Sequence, residues 1–412
     1  MAGVTISKRG NYYQYRFDVA KIDGKRKRIS KSGFVTKKEC EAAGIKALAE
    51  YNNSGMYFKP SEISVADYLD HWLDSYASVN LKPQTTYSYT LIINHHFKNS
   101  FGKYKLKSLQ ATTIQEFINN LKKNGLSKGY IQKIFKLLST CLNYAVEPLN
   151  YIKYNPCKSV KIPNMDNEKV LERYVLSKQQ IDKITEYFHP HTGAYLPIMI
   201  SYYTGLRAGE VLSLTWDDID LRNRTINVNK TLVKRYKNQN TPEGWYFNVP
   251  KTKASIRTIY FGEMLYNILL AAKKQQQYNK WNFGEYYTAI YQENLKTDNG
   301  NANRLLSAYI KDIPHNVNFL DMVCVREHGT LYNLDNLKWA SKVIRTKLHI
   351  PFNFHSLRHT HATILIETGA NIKDVQERLG HANIKITMDT YVHNTDSMKK
   401  ASVDIFEKAI NE

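Results

Sequence analysis

Residues 354–391 read FHSLRHTHATILIETGANIKDVQERLGHANIKITMDTY and gather His355, Arg358, His381 and Tyr391 in a chain whose formal net charge is +21. His355 and Arg358 are three apart in a stretch whose apolar Leu357, Ala362, Ile364 and Leu365 predict a partly buried helix. Residues three apart share a helix face, so both side chains can aim at one point. KDVQERLG, with Val375 and Leu379 at i, i+4, predicts a second helix stopped by Gly380. His381 follows at a turn, and Tyr391 sits near the chain end on a short helix. Such a set can grip a phosphate and attack it. The chain has 30 tyrosines and 13 histidines, so any one alone is structural by default; only the ordered set carries the reading.

Two upstream stretches join it. In TGLRAGEVLSLTWDDID, Arg207 precedes Glu210 by three residues, a spacing at which a carboxylate can orient a guanidinium. VPKTKASIRTIYF is read as a hairpin, with Gly244 ending a polar loop before it and Ile256, Thr258 and Tyr260 alternating in a strand. Lys251 would lie in or beside its turn.

These residues resemble the tyrosine recombinases, which include phage and conjugative-transposon integrases. The family's catalytic order is Arg, Lys, His-x-x-Arg, His and Tyr. Matches stand at Arg207 in TGLRAGE, Lys251 in PKTKASIRTI, His355 and Arg358 in HSLRH, His381 in LGH, and Tyr391 ten residues later. Lys253, two residues from Lys251, is the alternative lysine. The resemblance covers roughly residues 60 to 400.

The chemistry expected of these residue types is consistent. Attack of a tyrosine oxygen on a DNA phosphate puts charge on the nonbridging oxygens, which Arg207 and Arg358 can meet with planar, bidentate forks. Tyrosine has a pKa of about 10 and needs a proton acceptor, for which His355 is the best-placed candidate. His381 would donate to the phosphate. The resemblance implies that Lys251 protonates the departing 5′ oxygen, and that a covalent 3′-phosphotyrosine stores the bond energy for resealing. No Walker loop or acidic metal cluster is present, and neither cofactor nor metal is expected.

A sequence pI near 9.5 calls for a polyanionic partner, nucleic acid first and an acidic membrane surface a distant second. With 412 residues and 42% hydrophobic content, two or three domains with ample core are expected. No apolar run reaches the roughly 18 residues of a membrane span, and no apolar signal segment opens the chain, so a cytoplasmic, nucleoid-associated location is expected. Cys40, Cys141, Cys157 and Cys324 lack metal-ligand or redox spacing and are read as reduced and structural.

The fold expected is mainly α with small β-sheets, an α+β chain in three parts. Residues 1–58 form a small sheet-plus-helix domain: Tyr13, Tyr15, Phe17 and Val19 alternate in a strand, Asp23-Gly24 turns into KRKRIS, and Thr36 with Glu39 makes a capping box for the next helix. Lys21, Lys25, Arg26, Lys27, Arg28 and Lys31 crowd that hairpin, and a two-stranded ribbon fits a major groove. The family's amino-terminal arm-binding domains are comparable. A link holding Gly55 and Pro60 leads to residues 62–160, where three amphipathic helices are legible, resembling the family's core-binding (SAM-like) bundle. A linker with Pro163 precedes the catalytic domain, 170–412, with a small sheet around 224–261. Residues 275–315, rich in Gln and Asn without clear periodicity, are read as an insertion or loop. The terminal ASVDIFEKAI, with Val403, Ile405 and Phe406 apolar, can dock on a neighbour or on its own domain.

The function so implied is site-specific recombination: integration, and with it excision, of a phage or conjugative element. The partners would be double-stranded attachment sites, four protomers on two duplexes, and an excisionase or host DNA-bending protein. A type IB topoisomerase shares the chemistry, and a DNA-binding regulator without catalysis is the alternative from another class.

Overall fold

The computed structural model describes residues 4–22, 25–54, 62–164, 174–190, 192–237, 241–250, 253–297, 300–313, 317–391 and 407. The chain divides into two compact units, Met1–Glu168 and Lys169–Glu412.

The first unit begins with an antiparallel sheet of Thr5–Arg9, Tyr12–Ile22 and Lys25–Phe34 in sequence order. The period-2 pattern turns Tyr15 and Phe17 inward, where they stack at 6.2 Å and pack with Cys40 and Ala47 of the helix Lys37–Ser54. Thr36 Oγ1 accepts from the Glu39 amide at 3.2 Å, the cap expected at that helix start. Arg28 and Lys31 are exposed, with Arg28 paired to Asp18 at 3.0 Å. The Asp23-Gly24 turn and the side chains of Lys21, Lys25, Arg26 and Lys27 lie outside the described residues.

Next comes an all-helical bundle. Val65–Trp72 continues through a single π turn, Leu73–Ala77, and Ser64 caps its start by accepting from the Asp67 amide. Ala111–Lys123 and Lys128–Val146 match the other two legible helices. A further helical run, Pro83–Ile92 continuing through the π turn Ile93–Phe97 to Phe101, escapes the periodicity, because its first turns are polar or aromatic and its buried positions Ile92, Ile93, Phe97 and Phe101 all fall late. Pro83 opens it, where a missing N–H costs nothing. Phe97, Phe101 and Phe117 pack with centroids 5.3–6.0 Å apart, beside the fully buried Trp72, Ile114 and Leu138.

The second unit sets helices Lys178–Tyr187, Tyr195–Thr204, Glu263–Phe283, Leu334–Lys347 and Phe354–Glu367 around two antiparallel sheets. One sheet holds Ile219–Asp220, Thr225–Val228 and Arg257–Tyr260. The other runs Asn318–Leu320, Thr288–Thr297, Gly300–Tyr309, Gly244–Asn248, Thr231–Arg235 in spatial order.

Two expectations are corrected. Residues 249–261 are not a hairpin: the chain leaves the five-stranded sheet after Asn248, passes exposed Val249 and Pro250, which has no amide to donate, and enters the other sheet at Arg257. There Ile256 and Tyr260 are 50% and 71% exposed, so the inward residues are Arg257 and Ile259. Residues 275–315 are not a loop either. The Gln-rich run completes a 21-residue helix in which Gln276 accepts from Trp216 Nε1 at 2.7 Å and donates to the Val323 carbonyl at 2.6 Å. Beyond it Thr288–Thr297 and Gly300–Tyr309 pair along their whole length.

The four cysteines are free and buried, and burial raises the thiol pKa of each. Among the described residues no helix is long and apolar enough to cross a membrane. The terminal stretch with Val403, Ile405 and Phe406 lies outside the described residues.

Candidate active site

The helix Tyr195–Thr204 ends at Gly205 in the left-handed region, φ +70°, which sends the chain through buried Leu206 to Arg207. Arg207 caps the short helix Ala208–Val211, whose Glu210 turns back on it. Glu210 Oε2 accepts from the Arg207 amide at 3.0 Å, and Oε1 from Arg207 Nη1 at 2.8 Å. From the other side Arg257 Nη2 donates to Oε2 at 3.1 Å. Glu210 is thus a buried carboxylate between two guanidiniums. Burial pushes its pKa up, but Arg257 and then Arg207 outweigh that and hold it below the ordinary value. The Arg207–Glu210 pairing is the one the spacing predicts. Arg257 does not stand out in the sequence; its one signal is the strand alternation, which puts it on the face opposite Ile256, Thr258 and Tyr260.

Arg358 is fully buried on the helix Phe354–Glu367. It donates through Nη1 to the Gly205 carbonyl at 2.8 Å and through Nη2 to the Leu379 carbonyl at 2.7 Å. Arg207 Nη2 donates to the very next carbonyl, Gly380, at 3.3 Å. Two arginines from distant segments therefore meet at the C-terminal end of the helix Ile372–Leu379, where carbonyls lack helical partners and carry partial negative charge. Gly380, φ +67°, closes that helix; a Cβ there would stand 2.9 Å from Arg257 Nη1.

The imidazoles lie within this field. His355 reaches the surface, yet desolvation around its ring, then Arg358 and Arg207, lower its pKa to about 4. His381, nearly buried, is lowered to about 3 by burial first and then by Arg358, Arg207 and His355. Both are neutral near pH 7. His381 Nδ1 lies 2.9 Å from the hydroxyl of buried Thr387. Thr387 belongs to the helix Ile384–Tyr391, which the tyrosine closes. The Tyr391 side chain lies outside what the structure describes, as do Lys251 and the side chain of Lys253, whose backbone is in the short turn Lys253–Ser255.

A second polar cluster backs the first. Arg378 donates to His361 Nε2 at 3.0 Å and to the carbonyls of Tyr260 and Tyr203, and its own carbonyl accepts from Arg257 Nε at 2.6 Å. His361 Nδ1 is 2.9 Å from the Tyr202 carbonyl, and burial followed by Arg378 lowers its pKa to about 4. Neither residue stands out in the sequence, because apart from their bond to each other their partners lie over 100 residues away.

The chain matches the family described as Phage integrase family over residues 174–305 and 321–398. Its N-terminal SAM-like domain matches over 64–122, and an Arm DNA-binding domain over 3–51. The chain belongs to the phage integrase family, the tyrosine recombinases that cut and rejoin DNA. It is 30% identical over 379 residues to a tyrosine recombinase XerC-like protein of Caldanaerobacter subterraneus subsp. tengcongensis, covering 90% of this chain and 89% of that one. It is 25% identical to the ICEBs1 integrase of Bacillus subtilis, covering 95% and 96%. Its fold is like that of the Tn1549 transposon integrase in complex with a circular intermediate DNA, with TM-score 0.63 and 20% identity over 84% of this chain and 99% of that one.

Gly205 supplies both a left-handed turn and an acceptor for Arg358. A Cβ there would stand 2.7 Å from Leu379 Cδ2 and 2.8 Å from His361 Cδ2. The left-handed backbone costs an alanine about 1–2 kcal/mol before any clash. Gly205→Ala is therefore expected to lower the thermal midpoint and DNA cleavage together; cleavage at the wild-type rate would separate this carbonyl from the chemistry.

The histidines also predict an acid dependence. The unfolded chain binds protons as pH falls through about 6.5, whereas the folded His355, His361 and His381 wait until about 4, 4 and 3. Stability present above that upper value must then decline as pH falls from about 6.5 toward 4. Thermal unfolding of His381→Gln across this window should decline less steeply, and a slope equal to wild type would contradict the shift assigned to His381.

Proposed function

We propose that Arg207, Arg358, His355, His381, Lys251 and Tyr391 form the active centre of a site-specific integrase. The reading is carried by one observation: Arg207 and Arg358 are held on the adjacent carbonyls of Gly380 and Leu379, beside two neutral imidazoles. A phosphate between the two forks would receive donors already in position, the arrangement that lowers a barrier without reorganisation. The Tyr391 oxygen attacks phosphorus and its proton passes to His355. An incoming phosphate anion beside that ring raises its affinity for a proton. His381 donates to a nonbridging oxygen. The bond to the 5′ oxygen breaks, Lys251 supplies that oxygen with a proton, and the strand remains as a 3′-phosphotyrosine until a second 5′ hydroxyl reverses the step.

The three parts of the chain take separate tasks in this proposal. Residues 1–58 read arm-type sites through exposed basic residues of the sheet, residues 62–160 grip the core site, and residues 170–412 cut. The substrate is the attachment DNA of a mobile element, in keeping with likeness to the ICEBs1 integrase. Exchange between two duplexes calls for four protomers, and direction for an excisionase or a host DNA-bending protein. The work is done in the cytoplasm, at the nucleoid.

Tyr391→Phe is expected to bind core DNA as wild type does and to form no covalent adduct on a nicked suicide duplex, read on a denaturing gel. Adduct persisting in that variant would remove Tyr391 as nucleophile. Deleting residues 1–58 should leave cleavage of a short core duplex intact and weaken binding to longer attachment DNA. The salt slope of that binding should fall by roughly 0.9 for each phosphate that the shortened chain no longer neutralises. A joint loss of thermal stability and core cleavage would make that domain a brace for the bundle instead.

A further inference from the structure

Thr387 is fully buried, and its hydroxyl does not do what several other helical threonines here do. Thr346, Thr360 and Thr368 each give their proton to the carbonyl four residues back, the usual refuge for a hydroxyl on a helix. Thr387 Oγ1 instead stands 2.9 Å from His381 Nδ1, six residues back and beyond the helix start. Distance alone leaves the direction of that bond open. Burial decides it. If Nδ1–H donated, the hydroxyl proton would need an acceptor of its own, and none stands against it among the described residues; an unmade bond of that kind is costly for a fully buried hydroxyl. If the hydroxyl donates, Nδ1 accepts with its lone pair, and the hydroxyl proton and Nδ1 are both satisfied. A neutral imidazole whose Nδ1 accepts carries its proton on Nε2.

We propose that the Thr387 hydroxyl holds His381 in the Nε2-protonated tautomer, making Thr387 the positioning residue for the proton that His381 offers the scissile phosphate. The role in cleavage rests on the recombinase reading above; the tautomer itself does not. Thr387 precedes Tyr391 by four residues on one helix. The segment that delivers the nucleophile thus also sets the donor, and a helix displaced from the site leaves His381 without its tautomer lock.

The test uses the full chain labelled with 15N-histidine, with the His381 signals assigned by their loss in His381→Gln. In wild type, Nδ1 should resonate as an unprotonated, hydrogen-bonded nitrogen and Nε2 as a protonated one at neutral pH. The reverse pattern overturns the proposal without any variant. Thr387→Val keeps shape and removes the donor; it should give mixed tautomers and adduct formation on a nicked duplex slower by about tenfold or more, with DNA affinity unchanged. Thr387→Ser should restore most of the rate. In a His381→Gln background the valine substitution should have no further effect. Equal loss in the valine and serine variants, or a full valine effect without His381, would make Thr387 mere packing and sink the proposal. A locked tautomer in a wild-type chain that forms no adduct on attachment DNA would overturn the recombinase site, and with it the role in cleavage, while leaving the tautomer assignment intact.

Discussion

A single buried carboxylate fixes where two of the cations around this site stand. Glu210 is clasped by Arg207 on one side and Arg257 on the other, and Arg257 reaches on to the Arg378 carbonyl. Desolvating a carboxylate between only one cation and apolar atoms is expensive, and breaking a buried pair typically costs about 3–5 kcal/mol. The second guanidinium removes that difficulty. It also leaves one positive charge in excess, which falls to the half-exposed Arg207 facing the site. The short helix after Gly205, the edge strand Arg257–Tyr260 of the small sheet and the helix ending at Leu379 are thereby tied to one point.

The sequence made the outline of this legible and left the supports hidden. His355, Arg358 and His381 could be found because helix spacing and a glycine stop are local signals, and Arg207 with Glu210 because their pairing spans one turn. Arg257, Arg378 and His361 were invisible for the opposite reason: each is defined by backbone carbonyls or a carboxylate supplied from far along the chain. The bundle shows the same division. Its three helices with regular apolar stripes were readable, and the helix opening at Pro83 was not, since its buried residues cluster at one end.

The misread stretches share a cause. Gln and Asn suggested a loop over 275–315, but Gln276 bridges Trp216 and the Val323 carbonyl, so the polar side chains there replace apolar packing on a helix face. Over 249–261 an exposed apolar alternation suggested a hairpin, when the inward position was occupied by an arginine. Hydrophobic periodicity fails wherever a buried position is polar because of a partner remote in sequence. Such positions concentrate around this site.

The carbonyls that hold the arginines carry one more consequence. Arg358 takes its acceptors from Gly205 and Leu379, and Arg207 takes one from Gly380, so each guanidinium is set by chain lying 153 or 173 residues away as well as by near neighbours. A ribosome-bound or half-unfolded chain has every one of these side chains and no frame in which to aim them. The two guanidiniums gain a common frame only when the second unit is folded from end to end.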